Sequence, residues 1–207
     1  MAEHCLDGRA IASEDTLQTL LGLDAAPASQ TAVLTIGPGE REEVDYRTLR
    51  RLTAAASTRL RVEGVARGDC VALLAGSSSG WIAAALGILR LGAVVLPLDG
   101  QGMASGLEHM VRDSGARFAF VDDSHEELAR RLGLEPLALE ALAGGEAEAD
   151  GPQLQPSAET RAVLFYTSGT TGAPKGVPLT HGNLAFQVAA LRSARLCLLY
   201  TSPSPRD

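Results

Sequence analysis

The densest cluster of reactive side chains lies at 166–184, which reads YTSGTTGAPKGVPLTHGNL. Thr167, Ser168, Thr170 and Thr171 carry hydroxyls, and Lys175 adds a full positive charge shortly after Gly172. Gly169 and Gly172 permit backbone angles that other residues resist, so successive N–H groups can turn toward one point. Pro174 stiffens the approach to the lysine, and Gly176 releases the chain behind it. A nest of amides, several hydroxyls and one lysine are what a polyphosphate needs. The plainer alternative is a Gly/Ser/Thr turn in a hairpin, which a lone glycine-rich loop would favour. Here a strongly apolar run, 161–167, precedes the loop, and a second strand, 177–179, follows the Pro-Lys-Gly, so the phosphate site is the stronger reading. The loop is not of the Walker A type. Counted from Gly169, Pro174 stands where the second glycine belongs, and Gly176 follows Lys175 in place of Ser or Thr.

Other reactive residues have quieter explanations. His181, beside Asn183 at a helix start, reads as a capping or packing group rather than an acid or base. Asp99 follows the end of an apolar strand, where α/β sheets bind ligands, but before Gly100 it reads first as a turn residue. Trp81 falls on the apolar face of a helix and reads as core. Glu126, Glu127, Arg130 and Arg131 form a solvated helix face. His4, His109 and His125 are isolated and receive no role. No catalytic residue and no metal ligand is assigned. Cys5, Cys70 and Cys197 lie far apart, without CxxC or Cys/His ligand spacing, which fits a reducing compartment.

The elements that must position the loop alternate along the chain. Residues 31–36 (TAVLTI) form a β-branched run closed by Gly37-Pro38-Gly39, with 43–46 as its hairpin partner. Asp45 is placed to cap a helix whose apolar stripe is Leu49, Leu52, Ala56 and Leu60, with Gly64 as its stop. Then come an apolar strand at 70–75, a helix at 78–91 with Trp81, Ala84, Ala85, Ile88 and Leu91 on one face, and a strand at 93–98. A helix at 106–114 carries Leu107, Met110 and Val111. A strand at 117–121 and a short helix at 124–132, with Ser124 as its cap, complete the series. Strands that are apolar throughout, alternating with helices, predict an α/β fold with a parallel sheet layered by helices. In such a sheet 71–75, 93–96 and 118–121 are neighbouring parallel strands. Residues 142–158, rich in Ala, Gly, Glu, Pro and Gln, read as an exposed connection.

Composition narrows the function. The 207 residues include 18 Lys and Arg against 25 Asp and Glu, a net charge of −7. That balance offers no basic footprint for nucleic acid, and aromatic residues at 4% offer no base-stacking surface. No apolar run approaches the ~20 residues of a membrane span, and the N-terminus lacks an apolar signal core. A cytoplasmic location is the expectation.

The segment closely resembles the phosphate-loop signature of the adenylate-forming superfamily, which comprises acyl-CoA synthetases, adenylation domains of nonribosomal peptide synthetases, and luciferases. The matching residues are Tyr166, Thr167, Ser168, Gly169, Thr170, Thr171, Gly172, Pro174, Lys175, Gly176 and Val177, followed by Thr180, His181 and Asn183. Weaker resemblance covers most of the chain: the helix from Tyr46, Gly68-Asp69 before the 70–75 strand, Leu91–Leu98, and the Asp113-Ser114-Gly115-Ala116 turn. The resemblance implies an incomplete N-terminal AMP-binding domain over 1–196. It implies attack of a carboxylate on the α-phosphate of ATP with Mg²⁺, then transfer of the acyl group to a thiol, usually coenzyme A. The loop would grip the β- and γ-phosphates through Thr167, Ser168, Thr170 and Thr171, with Gly169, Gly172 and Gly176 shaping it and Lys175 offsetting the charge.

Val177–His181 resembles the version seen in acyl-CoA synthetases, so a fatty-acyl or other carboxylate CoA ligase is the first expectation. Pro97-Leu98-Asp99 speaks for a peptide-synthetase adenylation domain as the second. The family's acyl, adenine and Mg²⁺ residues come later than any position here, so residues 1–207 alone are expected to be inactive, and a non-enzymatic product with weak phosphate binding is the remaining alternative. The tail 197–207, CLLYTSPSPRD, resembles a translated sequencing-adapter end, so the native sequence is expected to be cut short near Leu196 and the tail to be non-native.

Overall fold

A computed structural model describes residues 5–6, 9–10, 26–37, 40–145, 156–168 and 173–193. The expected tail at 197–207, His4 and most of the exposed connection lie outside the described residues. Two short strands, β1 (Cys5–Leu6) and β2 (Arg9–Ala10), pair antiparallel. The predicted hairpin forms from β3 (Thr31–Gly37) and β4 (Glu40–Asp45). Helix α1 (Tyr46–Val62) follows at once, because the Asp45 carboxylate accepts the Thr48 N–H at 2.8 Å and caps the first turn.

The central sheet has six strands in the order β10-β9-β6-β5-β7-β8. Strands β5 (Cys70–Leu74), β6 (Val94–Pro97) and β7 (Phe118–Val121) are the three expected parallel neighbours, with β5 in the middle. Their side chains alternate between two cores. Val71, Leu73, Val95, Phe118 and Phe120 face one layer, while Ala72, Leu74, Leu96, Ala119 and Val121 face the other. The first layer is α1 and α2 (Ser79–Arg90); the second is α3 (Ala104–Ser114) and α4 (Glu126–Arg131). Each strand is therefore buried on both sides, which explains the unbroken apolar runs. The sheet is mixed at one edge. Strand β9 (Arg161–Thr167) is parallel to β6, whereas β10 (Lys175–Thr180) is antiparallel to β9.

Several local expectations are corrected. Beyond Trp81, Ala84, Ala85, Ile88 and Leu91, helix α2 also buries Ala83, Leu86, Gly87 and Leu89, because it is packed between the sheet and α1. Trp81 is half-buried against that core. Ser124 does not cap α4. Asp122 accepts the His125 N–H at 3.1 Å and the Ser124 hydroxyl at 2.7 Å, so the cap belongs to the residue that follows β7. Leu142, the first residue of the expected connection, is 4% exposed in a 3₁₀ turn at Glu140–Ala143. Strand β8 (Glu135–Ala138) went unread in the sequence, because its EPLA alternation is too short to show a period.

Gly87 lets α2 lie close against α1. A Cβ there would stand 2.6 Å from the Ala56 Cβ and 3.0 Å from Thr53 O. Gly87→Val should therefore force the helices apart and cost about 1–3 kcal/mol of stability. Urea unfolding checks this; an unchanged midpoint would mean that the two helices have slack at this point.

Candidate functional site

Strand β9 delivers the loop. Ala162 and Val163 are buried beside β6, and the strand emerges at its C-terminal end with Thr167 and Ser168 exposed. The chain returns as β10 in a ladder that pairs Thr167 with Lys175, Gly176 with Tyr166, and Val177 with Phe165. The turn reading and the phosphate reading therefore share one geometry, a hairpin. Gly169, Thr170, Thr171 and Gly172 lie outside the described residues. Thr167 and Lys175 are directly opposite, so hydroxyl and ammonium leave the same face of the ladder, about 5 Å apart at Cβ. Both are exposed, as are Ser168 and Gly176. A Cβ at Gly176 would stand 3.2 Å from Leu164 and 3.5 Å from the Tyr166 ring, so the glycine lets that ring lie across the ladder.

On the opposite face of the ladder, Tyr166 turns toward α3. Its hydroxyl donates to Asp113 Oδ2 at 2.6 Å. Burial, then the hydrogen bond and charge of that carboxylate, holds the phenol well above its ordinary pKa, so it stays a donor. At the far foot of the loop, His109 Nε2 donates to the Pro174 carbonyl at 3.0 Å. A carbonyl can only accept, so the proton sits on Nε2. The His109 and Tyr166 rings meet edge to face, with centroids 6.4 Å apart. Between α3, the exit of β6 and the hairpin lies a cavity of about 590 Å³, bordered by Asp99, Met103, His109, Phe165, Tyr166 and Pro174. It opens at the carboxyl ends of β6 and β9, the edge at which parallel sheets receive ligands.

Asp99 borders this cavity and also makes the expected turn, its Oδ1 accepting the Gln101 N–H at 3.0 Å. Glu126 and Arg130 pair across one turn on the exposed side of α4, as a solvated face should. His125 and Asp122 meet at 2.6 Å where β5 and β7 end, and Asp122 Oδ2 takes the Gly76 N–H at 2.8 Å. Burial raises the Asp122 pKa, but the bonds from Ser124, Gly76 and His125 outweigh it and hold the carboxyl at about 2. His109, given no role in the sequence, thus has a partner from a distant part of the fold, whereas His125 bonds to its near neighbours Asp122 and Ser124. No sequence period links residue 109 to 174, so this contact had no sequence signal. Among the described residues no three His, Cys, Asp or Glu converge on a metal-sized site. No helix among them is long and apolar enough to cross a membrane.

The helix after the loop, α5 (His181–Ser193), begins at the far end of β10, about 20 Å from Lys175 at the rise of a strand. Its first amides are already used. His181 N–H donates to Thr160 O at 2.9 Å and Gly182 N–H to Ala158 O at 2.8 Å. Asn183 N–H donates to Thr180 Oγ1 at 3.2 Å, and Thr180 N–H donates back to Asn183 Oδ1 at 3.0 Å. Thr180 and Asn183 therefore do the capping, and His181 packs. Its ring is fully buried with both nitrogens unpartnered, and burial lowers its pKa to about 4.

A family model described as AMP-binding enzyme matches residues 24–205. Syringomycin synthase SyrB1 of Pseudomonas syringae pv. syringae is 35% identical over 150 residues, 69% of this chain and 23% of that protein. Feruloyl-CoA synthase of an Amycolatopsis species is 35% identical over 144 residues, 68% of this chain and 29% of that protein. The chain thus spans less than a third of these relatives. The crystal structure of the anthranilate CoA ligase AuaEII in complex with anthranoyl-AMP superposes with a TM-score of 0.71 at 24% identity, over 83% of this chain and 36% of that one. This last likeness concerns the fold.

The His181 environment predicts a pH window. The unfolded chain takes up a proton on this ring near pH 6.5, whereas the folded chain refuses it until about pH 4. Its contribution to stability is therefore complete above pH 6.5 and is lost as pH falls through about 4. Urea midpoints at pH 7 and pH 4.5 should fall less for His181→Leu than for the parent chain; equal falls would show that the ring is not held neutral.

Proposed function

This chain belongs to the AMP-binding enzyme family of adenylate-forming ligases, and on that premise we propose that it serves the ATP-dependent activation of a carboxylate. In this reading a carboxylate oxygen attacks the α-phosphorus of ATP. The bond to the bridging oxygen breaks, and its electron pair leaves on pyrophosphate, giving an acyl-adenylate. The supporting observation is the hairpin itself: Lys175 and Thr167 leave the same face of one ladder rung, and Ser168 stands at the loop's mouth. Thr167, Ser168, Thr170 and Thr171 donate to the β- and γ-phosphates, Lys175 offsets their charge, and Gly169, Gly172 and Gly176 shape the loop. Donors fixed before the ligand arrives need no reorganisation as charge builds on the leaving group. The adenine, acyl and Mg²⁺ contacts come from further chain, and residues 1–207 alone carry no carboxylate-dependent exchange.

For the thiol that takes the acyl group, coenzyme A is the first reading. It is supported by the Val177–His181 wording and by the likeness to feruloyl-CoA synthase. A carrier-bound thiol is the second, supported by Pro97-Leu98-Asp99 and by the likeness to syringomycin synthase. Offering both acceptors to the preformed adenylate separates them.

Lys175→Ala in the complete enzyme should slow ATP–pyrophosphate exchange roughly tenfold to a hundredfold, as expected for one lost charge-assisted contact. Exchange at the parent rate would remove Lys175 from the phosphate site.

A further inference from the structure

We propose that His109 and Asp113 of α3 are positioning residues that hold the two feet of the hairpin loop in place for its ligand. The proposal rests on the phosphate reading of that loop. Gly106, His109, Met110 and Asp113 lie at helical spacing on the side of α3 that meets the hairpin. A Cβ at Gly106 would stand 3.9 Å from Pro174, so the stripe starts against one foot and ends at Asp113 against the other. Leu107 and Val111 anchor the helix in the second core, with exposures of 3% and 8%. The stripe is therefore held by the sheet and can serve as a fixed support.

Each bond acts on a particular atom. Thr167 and Lys175 form the last rung of the ladder before the loop, so the Pro174 carbonyl lies beyond it. The peptide that joins Pro174 to Lys175 is planar, so fixing the Pro174 oxygen also fixes the plane from which Lys175 departs. His109 Nε2 makes that bond. At the other foot, Asp113 takes the Tyr166 hydroxyl and fixes the residue that precedes Thr167 and Ser168. The ring contact between Tyr166 and His109 joins the two supports. His109 and Asp113 meet the hairpin through Pro174 and Tyr166 and not on the ladder face that carries Thr167 and Lys175, so their effect passes through Lys175, Thr167 and Ser168.

The test uses the 207-residue chain with inorganic tripolyphosphate as probe, followed by calorimetry. Amide hydrogen exchange at Thr167 and Lys175 and a urea midpoint are measured on the same samples. His109→Leu should weaken tripolyphosphate binding about threefold to tenfold and speed exchange at both amides, with the urea midpoint nearly unchanged. His109→Gln, which keeps an N–H donor, should recover most of the affinity. Asp113→Ala should behave like His109→Leu, and Asp113→Asn, which keeps an acceptor for Tyr166, like the parent. Asp113 is exposed, so its variants carry the test if His109→Leu does not fold. Parent-like affinity in both His109→Leu and Asp113→Ala would overturn the proposal. So would an affinity loss that merely tracks a fall in the urea midpoint. If the parent chain itself fails to bind tripolyphosphate, the phosphate reading falls and takes the proposal with it, an outcome separate from parent-like variants.

Discussion

Strand β5 is covered on both faces, and most of the architecture follows from that. Val71 and Leu73 need one apolar layer and Ala72 and Leu74 another, all four with no exposed surface. Parallel neighbours supply the flanks, and a parallel connection needs a crossover long enough to hold a helix. The crossover from β5 to β6 therefore places α2 on one face, and those from β6 to β7 and β7 to β8 place α3 and α4 on the other. Close packing between the layers puts Gly87 against Ala56. It also sets α3 on the second face, beside the exit of β6, where it can meet the hairpin.

The hairpin obeys a different constraint. The connection from Thr167 to Lys175 is too short for a crossover, so β10 must run antiparallel. This carries the start of α5 to the opposite end of the sheet and spends its first amides on Thr160, Ala158 and Thr180. A Walker-type loop draws on a helix N-terminus for its anion. Here the helix is out of reach, so the proposed anion site must rely on loop amides, hydroxyls and Lys175. With no helix terminus at the site, the contacts from His109 to Pro174 and from Asp113 to Tyr166 gain weight. On a chain with a net charge of −7, local placement of one cation matters more than the overall field.

The histidines of α3 and α5 differ in their surroundings. His109 is half-buried, and its Nε2 donates to the Pro174 carbonyl. His181 is fully buried with no partner, so burial drives it neutral. A titratable ring at the start of α5 is thus a packing group, and the one with a view of the loop sits on α3.

Local chemistry was legible in the sequence wherever a residue's type dictates its own backbone. Asp45 caps α1, and apolar runs over 70–75 and 118–121 mark strands buried on both sides. Ser114 and Gly115 end α3, with Gly115 at φ 67°, a left-handed angle that favours glycine. The strands on either side of the loop, β9 and β10, were legible too, the first from its own apolar run and the second from the residues that follow the Pro-Lys-Gly. What the sequence could not contain was contact between distant segments. His109 with Pro174, Tyr166 with Asp113, Asp122 with Gly76, and the burial of His181 all join residues that no period connects. Those pairings are decided by which layers cover the sheet and by the direction of β10. They appear only when burying both faces of β5 fixes where each helix must lie.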